Sequence, residues 1–123
     1  MSARSPLVAA GALNAVIAIA AGAFGAHALR DRLDARRLEI FETAARYHLV
    51  HAVALVVCGV LAARELAAAG TAGWILQVGV AIFSGTLYVL ALTDARWLGA
   101  ITPLGGVTMI VGWAYLAWAA WRG

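Results

Sequence analysis

The stretch LAAAGTAGWILQVGVAIFSGTLYVLALT, from Leu66 to Thr93, runs for 28 residues without an Asp, Glu, Lys or Arg. A helix rises about 1.5 Å per residue and the hydrocarbon core of a bilayer is about 30 Å thick, so roughly 20 apolar residues cross it. This stretch is long enough to span. Around it lie three more uncharged stretches, Ser5 to Leu29, Tyr47 to Ala63 and Trp97 to Trp121, of 25, 17 and 25 residues. The shortest extends backward through Thr43, Ala44, Ala45 and Arg46, whose long side chain can snorkel to the interface. Four spanning helices therefore account for nearly all of the 123 residues. The composition agrees: 64% of residues are hydrophobic and 12% charged, against a usual charged quarter. With few charges, one cysteine and no low-complexity tract, the chain is not disordered, not a nucleic-acid-binding tail and not a disulfide scaffold.

The fold predicted is all-α: an integral membrane four-helix bundle in a single domain over 1–123, with helices at about 7–29, 44–63, 73–93 and 103–121. Ser5 reads as the N-cap of the first helix and Pro6 as its first residue, where a missing N–H costs nothing. The rival reading of this segment is a signal peptide, with Arg4 as its basic start and small residues around Gly22 to Ala28 as cleavage sites. The apolar run is longer than an ordinary signal core of roughly 7–15 residues, which favours a spanning helix. Nine of the fifteen charged residues crowd between Arg30 and Arg46, among Leu33, Leu38, Phe41, Ala45 and Leu49 at helical spacing. That pattern predicts a short amphipathic helix over about 34–46, lying in the interface between helices 1 and 2 and running into helix 2, with Glu42 and Arg46 placed to pair one turn apart. A solvated charged loop is the alternative. Thr102 before Pro103 reads as the N-cap of helix 4; the competing reading starts that helix at Trp97 and kinks it at Pro103.

Orientation rests on arginine, since there is no lysine. The side holding both termini has Arg4, Arg64 and Arg122; the side holding the 1–2 and 3–4 connections has Arg30, Arg32, Arg36, Arg37, Arg46 and Arg96. The positive-inside rule then places both termini outside and the charged connection in the cytoplasm. Trp74, Trp97, Trp118 and Trp121 lie near predicted helix ends, as interfacial aromatics do. In helix 1, Ala18, Gly22 and Ala26 repeat every four positions, as do Ala21 and Gly25, a spacing that allows close helix approach.

Polar side chains within spans are few, and each raises the question of function. His27 closes helix 1, while His48 and His51 share a face in the first turns of helix 2, all at similar depth beneath the arginine-rich side. Three imidazoles at one level can form a metal site or a pair of haem ligands; hydrogen bonds across helices are the plainer reading. Asn14 and Gln77 read as interhelical hydrogen-bonding residues, and Cys58 as a small apolar packing residue. No spanning stretch contains a carboxylate, which weighs against a proton-coupled antiporter, and neither Gly22–Gly25 nor Gly105-Gly106 has the context of a phosphate loop.

Four strings occur in order: GAFGAHAL (22–29), YHLVHAVAL (47–55), FSGTLYVLALT (83–93) and GAITPLGG (99–106), the last followed by Gly112-Trp113. Together they resemble the YgdD/YwdK-like family of small membrane proteins, a domain of unknown function. The resemblance covers nearly the whole chain and implies a four-span inner-membrane protein without an established activity. It carries over to Gly25, His27, Tyr47, His51, Ser84, Gly85, Tyr88, Thr93, Thr102, Pro103, Gly105 and Gly106, whereas His48 stands where the family has glutamine. That departure leaves His27 and His51 as the better metal pair, with His48 behind them.

Placed on the topology, His27, Tyr47, His51, Ser84, Tyr88, Thr93 and Thr102 are expected to form one polar cluster toward the charged side, with Arg46 or Glu42 at its rim. Its plain role is to fix the bundle; its sharper role is to bind a headgroup, ion or small ligand. The function expected is a structural or accessory membrane component, a homo-oligomer embedded in the lipid bilayer and open to a membrane-protein partner. The alternatives are an oligomeric transporter or pore for a small solute, and a metal-, haem- or headgroup-binding protein using His27 and His51. No cofactor is expected under the first reading and no nucleic acid under any. An enzyme is least supported, because no nucleophile–base pair or carboxylate pair can be named.

Overall fold

Ser5 and Pro6 start the first helix as their chemistry requires. In the computed structural model, which describes residues 4–123, the Val8 N–H donates to Ser5 Oγ at 3.2 Å and Pro6 occupies the first turn. Helix α1 spans Pro6–Leu29. Its middle section, Ala20–Gly25, is π-helical, so that the Ala26 N–H reaches back five residues to the Ala21 carbonyl.

Helix α2 spans Ala35–Arg64. Asp34 caps it, its carboxylate accepting from the Arg37 N–H at 2.8 Å. No glycine or proline occurs between Ala35 and Cys58, so nothing interrupts the backbone ladder there. The amphipathic segment expected over about 34–46 is helical and runs into the second span without a break: its residues are roughly the first three turns of one 30-residue helix. At about 45 Å that helix exceeds the hydrocarbon thickness, which accommodates its charged beginning outside the apolar layer.

Helix α3 spans Ala68–Thr93 and begins well before the expected position near 73. Gly70 and Gly73 are helical; a Cβ on Gly73 would stand 2.7 Å from Leu7 Cδ1 and 3.0 Å from Cys58 Cβ, so the bare backbone admits both neighbours. A 3₁₀ turn over Arg96–Ala100 precedes helix α4, Thr102–Arg122. Pro103 thus begins an α-helix rather than kinking one. The expected N-cap role of Thr102 does not hold: Ile101 occupies the cap position, and Thr102 is the first residue inside. The 3₁₀ turn brings the Leu98 carbonyl to the Thr102 hydroxyl at 3.0 Å, which draws the side chain away from capping.

Helices α2 and α3 form the central pair, α1 packs on α2 and α4 on α3, while among the described residues α1 and α4 do not pack on each other. Leu7, Leu55, Cys58, Leu76, Val80 and Met109 meet in the shared core. Lipid offers helices no hydrophobic incentive to associate, so contact depends on close backbone approach. A Cβ on Gly11 would lie 2.8 Å from the Ala52 carbonyl oxygen, and one on Gly79 would lie 2.8 Å from the Met109 nitrogen. The small residues of α1 noted in the sequence meet α2 more loosely. Ala18 is buried, but a Cβ on Gly22 would rest at 3.7 Å from Ala45 Cβ.

The charged segment is anchored rather than merely solvated. Arg37 donates through Nε to the Ala91 carbonyl at 2.8 Å and through Nη2 to the Leu92 carbonyl at 2.9 Å, capping the C-terminus of α3. Arg36 pairs with Asp94 at 2.8 Å, where Asp94 stops α3 in the left-handed region with φ 55°. Glu42 and Arg46, placed to pair, form no ion pair among the described residues. Charged-group hydrogen bonds contribute about 1.5–3 kcal/mol. Arg37→Met is therefore expected to lower the thermal midpoint in detergent clearly, whereas Arg32→Met at an exposed position is expected to leave it unchanged. Equal midpoints for the two variants would remove the capping role.

Candidate functional site

Asn14 lies in the third turn of α1, where its amide reaches both of its neighbours. Its Nδ2 donates to the Ala10 carbonyl at 2.7 Å and to Gln77 Oε1 on α3 at 2.7 Å. A carbonyl can only accept, so Ala10 fixes the amide's orientation and leaves Asn14 Oδ1 as an acceptor. His48 Nε2 stands 2.8 Å from that oxygen and must donate to it. In the neutral ring, His48 Nδ1 is then an acceptor, and the Tyr88 hydroxyl at 3.0 Å supplies the proton. A directed hydrogen-bond chain thus runs from Tyr88 through His48 and Asn14 to Gln77, tying α3 to α2 and α1. Phe41 closes over it, its ring 5.2 Å from that of Tyr88.

His51 is held by other partners. Its Nδ1 faces the Tyr47 carbonyl at 2.8 Å and so donates; its Nε2 accepts from the Trp113 indole N–H at 3.0 Å. This fixes the Nδ1–H tautomer and bridges α2 to α4. The two histidines, three residues apart, therefore carry their protons on opposite nitrogens. Two more bonds complete the set: Ser84 Oγ donates to the Ala44 carbonyl at 2.9 Å, joining α3 to α2, and the hydroxyls of Thr86 and Thr102 meet at 2.7 Å, joining α3 to α4.

The residues expected in one cluster are thus distributed over separate helix pairs. Tyr88 joins the His48 chain, and Ser84, Thr102 and His51 each bridge a different pair of helices. Tyr47 lays its ring 4.8 Å from Phe83 and stacks on His51 at 6.4 Å. Thr93 turns back to the Val89 carbonyl at 2.6 Å near the end of α3. His27 is exposed, its Nδ1 3.1 Å from Arg30 Nη2. His27 and His51, the pair the sequence suggested for a metal, have different hydrogen-bond partners. Among the described residues no group of three or more His, Cys, Asp or Glu is placed to hold a metal ion. Sequence reasoning ranks His48 last and neither singles out Arg37 nor gives Trp113 a partner; which helices face each other carries no local signal.

Four apolar helices with their polar side chains turned on one another define a small polytopic integral membrane protein. A family model described as "Protein of unknown function (DUF423)" matches residues 21–106, and the chain belongs to this family. Among its relatives, a UPF0382 membrane protein of Staphylococcus epidermidis is 48% identical over 106 residues, covering 86% of this chain and 87% of the relative. The UPF0382 membrane protein YwdK of Bacillus subtilis is 43% identical over 112 residues, covering 89% of this chain and 91% of the relative. No solved structure matches the chain.

Proposed function

We propose that the protein is a structural or accessory component of the bacterial inner membrane, acting as a homo-oligomer in the lipid bilayer and through it on other membrane proteins. One observation carries this reading. Among the described residues, no buried side-chain nitrogen or oxygen lacks a hydrogen-bond partner. The hydrogen bonds of Asn14, Gln77, His48, Tyr88, His51, Trp113, Ser84 and Thr102 run between helices, which supports a joining role for the interior polar groups. On the outside, α1 exposes Leu13, Val16 and Phe24 and α4 exposes Leu104, Ile110 and Trp121, apolar surface suited to lipid or to a neighbouring chain. In this proposal both termini face outward and the arginine-rich connections face the cytoplasm, following the arginine count.

Native mass measurement in lipid nanodiscs tests the assembly. The expected result is a whole multiple of the single-chain mass, with no solute flux above that of empty liposomes after reconstitution. A single-chain mass overturns the homo-oligomer, and a flux lost in His51→Ala replaces the scaffold by a transporter. For orientation, Arg36→Cys is expected to react with an impermeant thiol reagent only after the membrane is opened; labelling of intact cells contradicts it.

A further inference from the structure

A groove of about 390 Å³ opens between α1 and α2 beside the π-helical section, floored by Ala18, Gly22, Ala26 and Ala45, with Glu42 and Arg46 at its rim. We propose that this groove receives Phe24 of a second copy of the chain, forming a two-fold interface about an axis along the membrane normal. The inference rests on the homo-oligomeric reading and gives it a surface.

Three observations select this occupant. A two-fold axis along the normal keeps every residue at its own depth, so an interface of this kind needs a projection and a recess at one level on the same surface. Phe24 is 74% exposed and lies within the span of residues, 18 to 26, that floors the groove. A cavity of about 150 Å³ takes a benzene ring, so the recess has room for a phenylalanine ring and some surrounding backbone. The rim supplies the third observation. Glu42 and Arg46 are both exposed, one turn apart on α2, and form no ion pair among the described residues of the single chain. On a two-fold interface the two long side chains bridge the one-turn step of about 6 Å between their levels, so that each Glu42 meets the partner's Arg46 and the two pairs form together. An anionic phospholipid leaves Glu42 unmatched, whereas the rim of a second copy pairs with both charges.

Charge reversal tests the interface in lipid nanodiscs, with assembly read as copies per disc. Glu42→Arg alone and Arg46→Glu alone each place like charges across the axis and are expected to weaken association at least 10-fold, whereas mixing the two variants is expected to restore it, since one then presents only positive and the other only negative rims. A folding defect does not show such rescue. Phe24→Ala, at an exposed position, is expected to weaken association without changing the thermal midpoint of the single chain. Unaltered assembly in Phe24→Ala and in both charge variants overturns this interface and leaves the oligomer standing on another surface. A wild-type chain that is monomeric, with or without retained phospholipid, overturns both.

Discussion

Gly105→Leu is expected to abolish the folded bundle, giving a protein that aggregates on extraction or melts far below the wild type. At the crossing of α3 and α4, a Cβ on Gly105 would clash with the Phe83 nitrogen and lie 2.8 Å from the Gly79 carbonyl oxygen. Both obstacles are backbone atoms, which cannot rotate aside. Overpacking of a well-packed core costs about 1–3 kcal/mol where side chains can shift. Here the helices themselves must separate, removing the Thr86–Thr102 bond and the contacts of Met109 along with the clash. The expected loss is therefore at or above the upper end of that range. Gly85→Leu provides the comparison, because nothing stands within 4 Å of a Cβ there. Removing a mid-helix glycine at such a site is expected to keep or slightly raise the midpoint, by up to about 1 kcal/mol of helix propensity. Equal behaviour of the two variants would mean that α3 and α4 do not cross at Gly105.

His48→Leu is the second substitution expected to be severe. It removes two interhelical bonds at once and leaves Asn14 Oδ1 and the Tyr88 hydroxyl without their partner. Single interhelical hydrogen bonds in membranes contribute on average only about 0.6 kcal/mol, because polar groups in separated helices find other partners. Most of the destabilisation comes instead from the two orphaned groups, at about 1–3 kcal/mol each when buried. Together these effects lead to a loss of about 2–4 kcal/mol, read as a fall in the thermal midpoint. His48→Gln separates bond loss from shape change, since an amide offers one accepting oxygen and a donating NH₂ on a side chain of similar reach. It is expected to recover most of the stability. A glutamine variant as unstable as the leucine variant would show that the hydrogen-bond chain through His48 does not hold the helices together.

The spans were legible because the bilayer is a ruler: 28 uncharged residues from Leu66 to Thr93 admit few readings other than a crossing. The ends of elements were less so. The start of α3 shows this: the sequence places it near 73, and the structure begins the helix at Ala68. Thr102 before Pro103 has the composition of an N-cap, but the 3₁₀ turn that diverts its hydroxyl is a feature of the preceding connection. The interior polar residues were visible as an inventory, and Asn14 and Gln77 do meet as interhelical partners. Their wiring was not visible. His48 and His51 look like one pair by spacing, yet one points into the α1–α3 side and the other to Trp113 on α4. The glycines divide in the same way: the regular Ala18, Gly22, Ala26 repeat borders an open groove, while the tightest crossing occurs at Gly105, which has no such repeat to announce it.

The proposed scaffold role rests on the hydrogen bonds that His48 and His51 make to neighbouring helices. Nitrogen-15 NMR of the ring nitrogens, on histidine-labelled protein in lipid, tests it most directly. The expected spectrum assigns the proton of His48 to Nε2 and that of His51 to Nδ1, with neither signal moved by added zinc or haem. The same tautomer at both positions, or ring nitrogens that shift when metal is added, would contradict it.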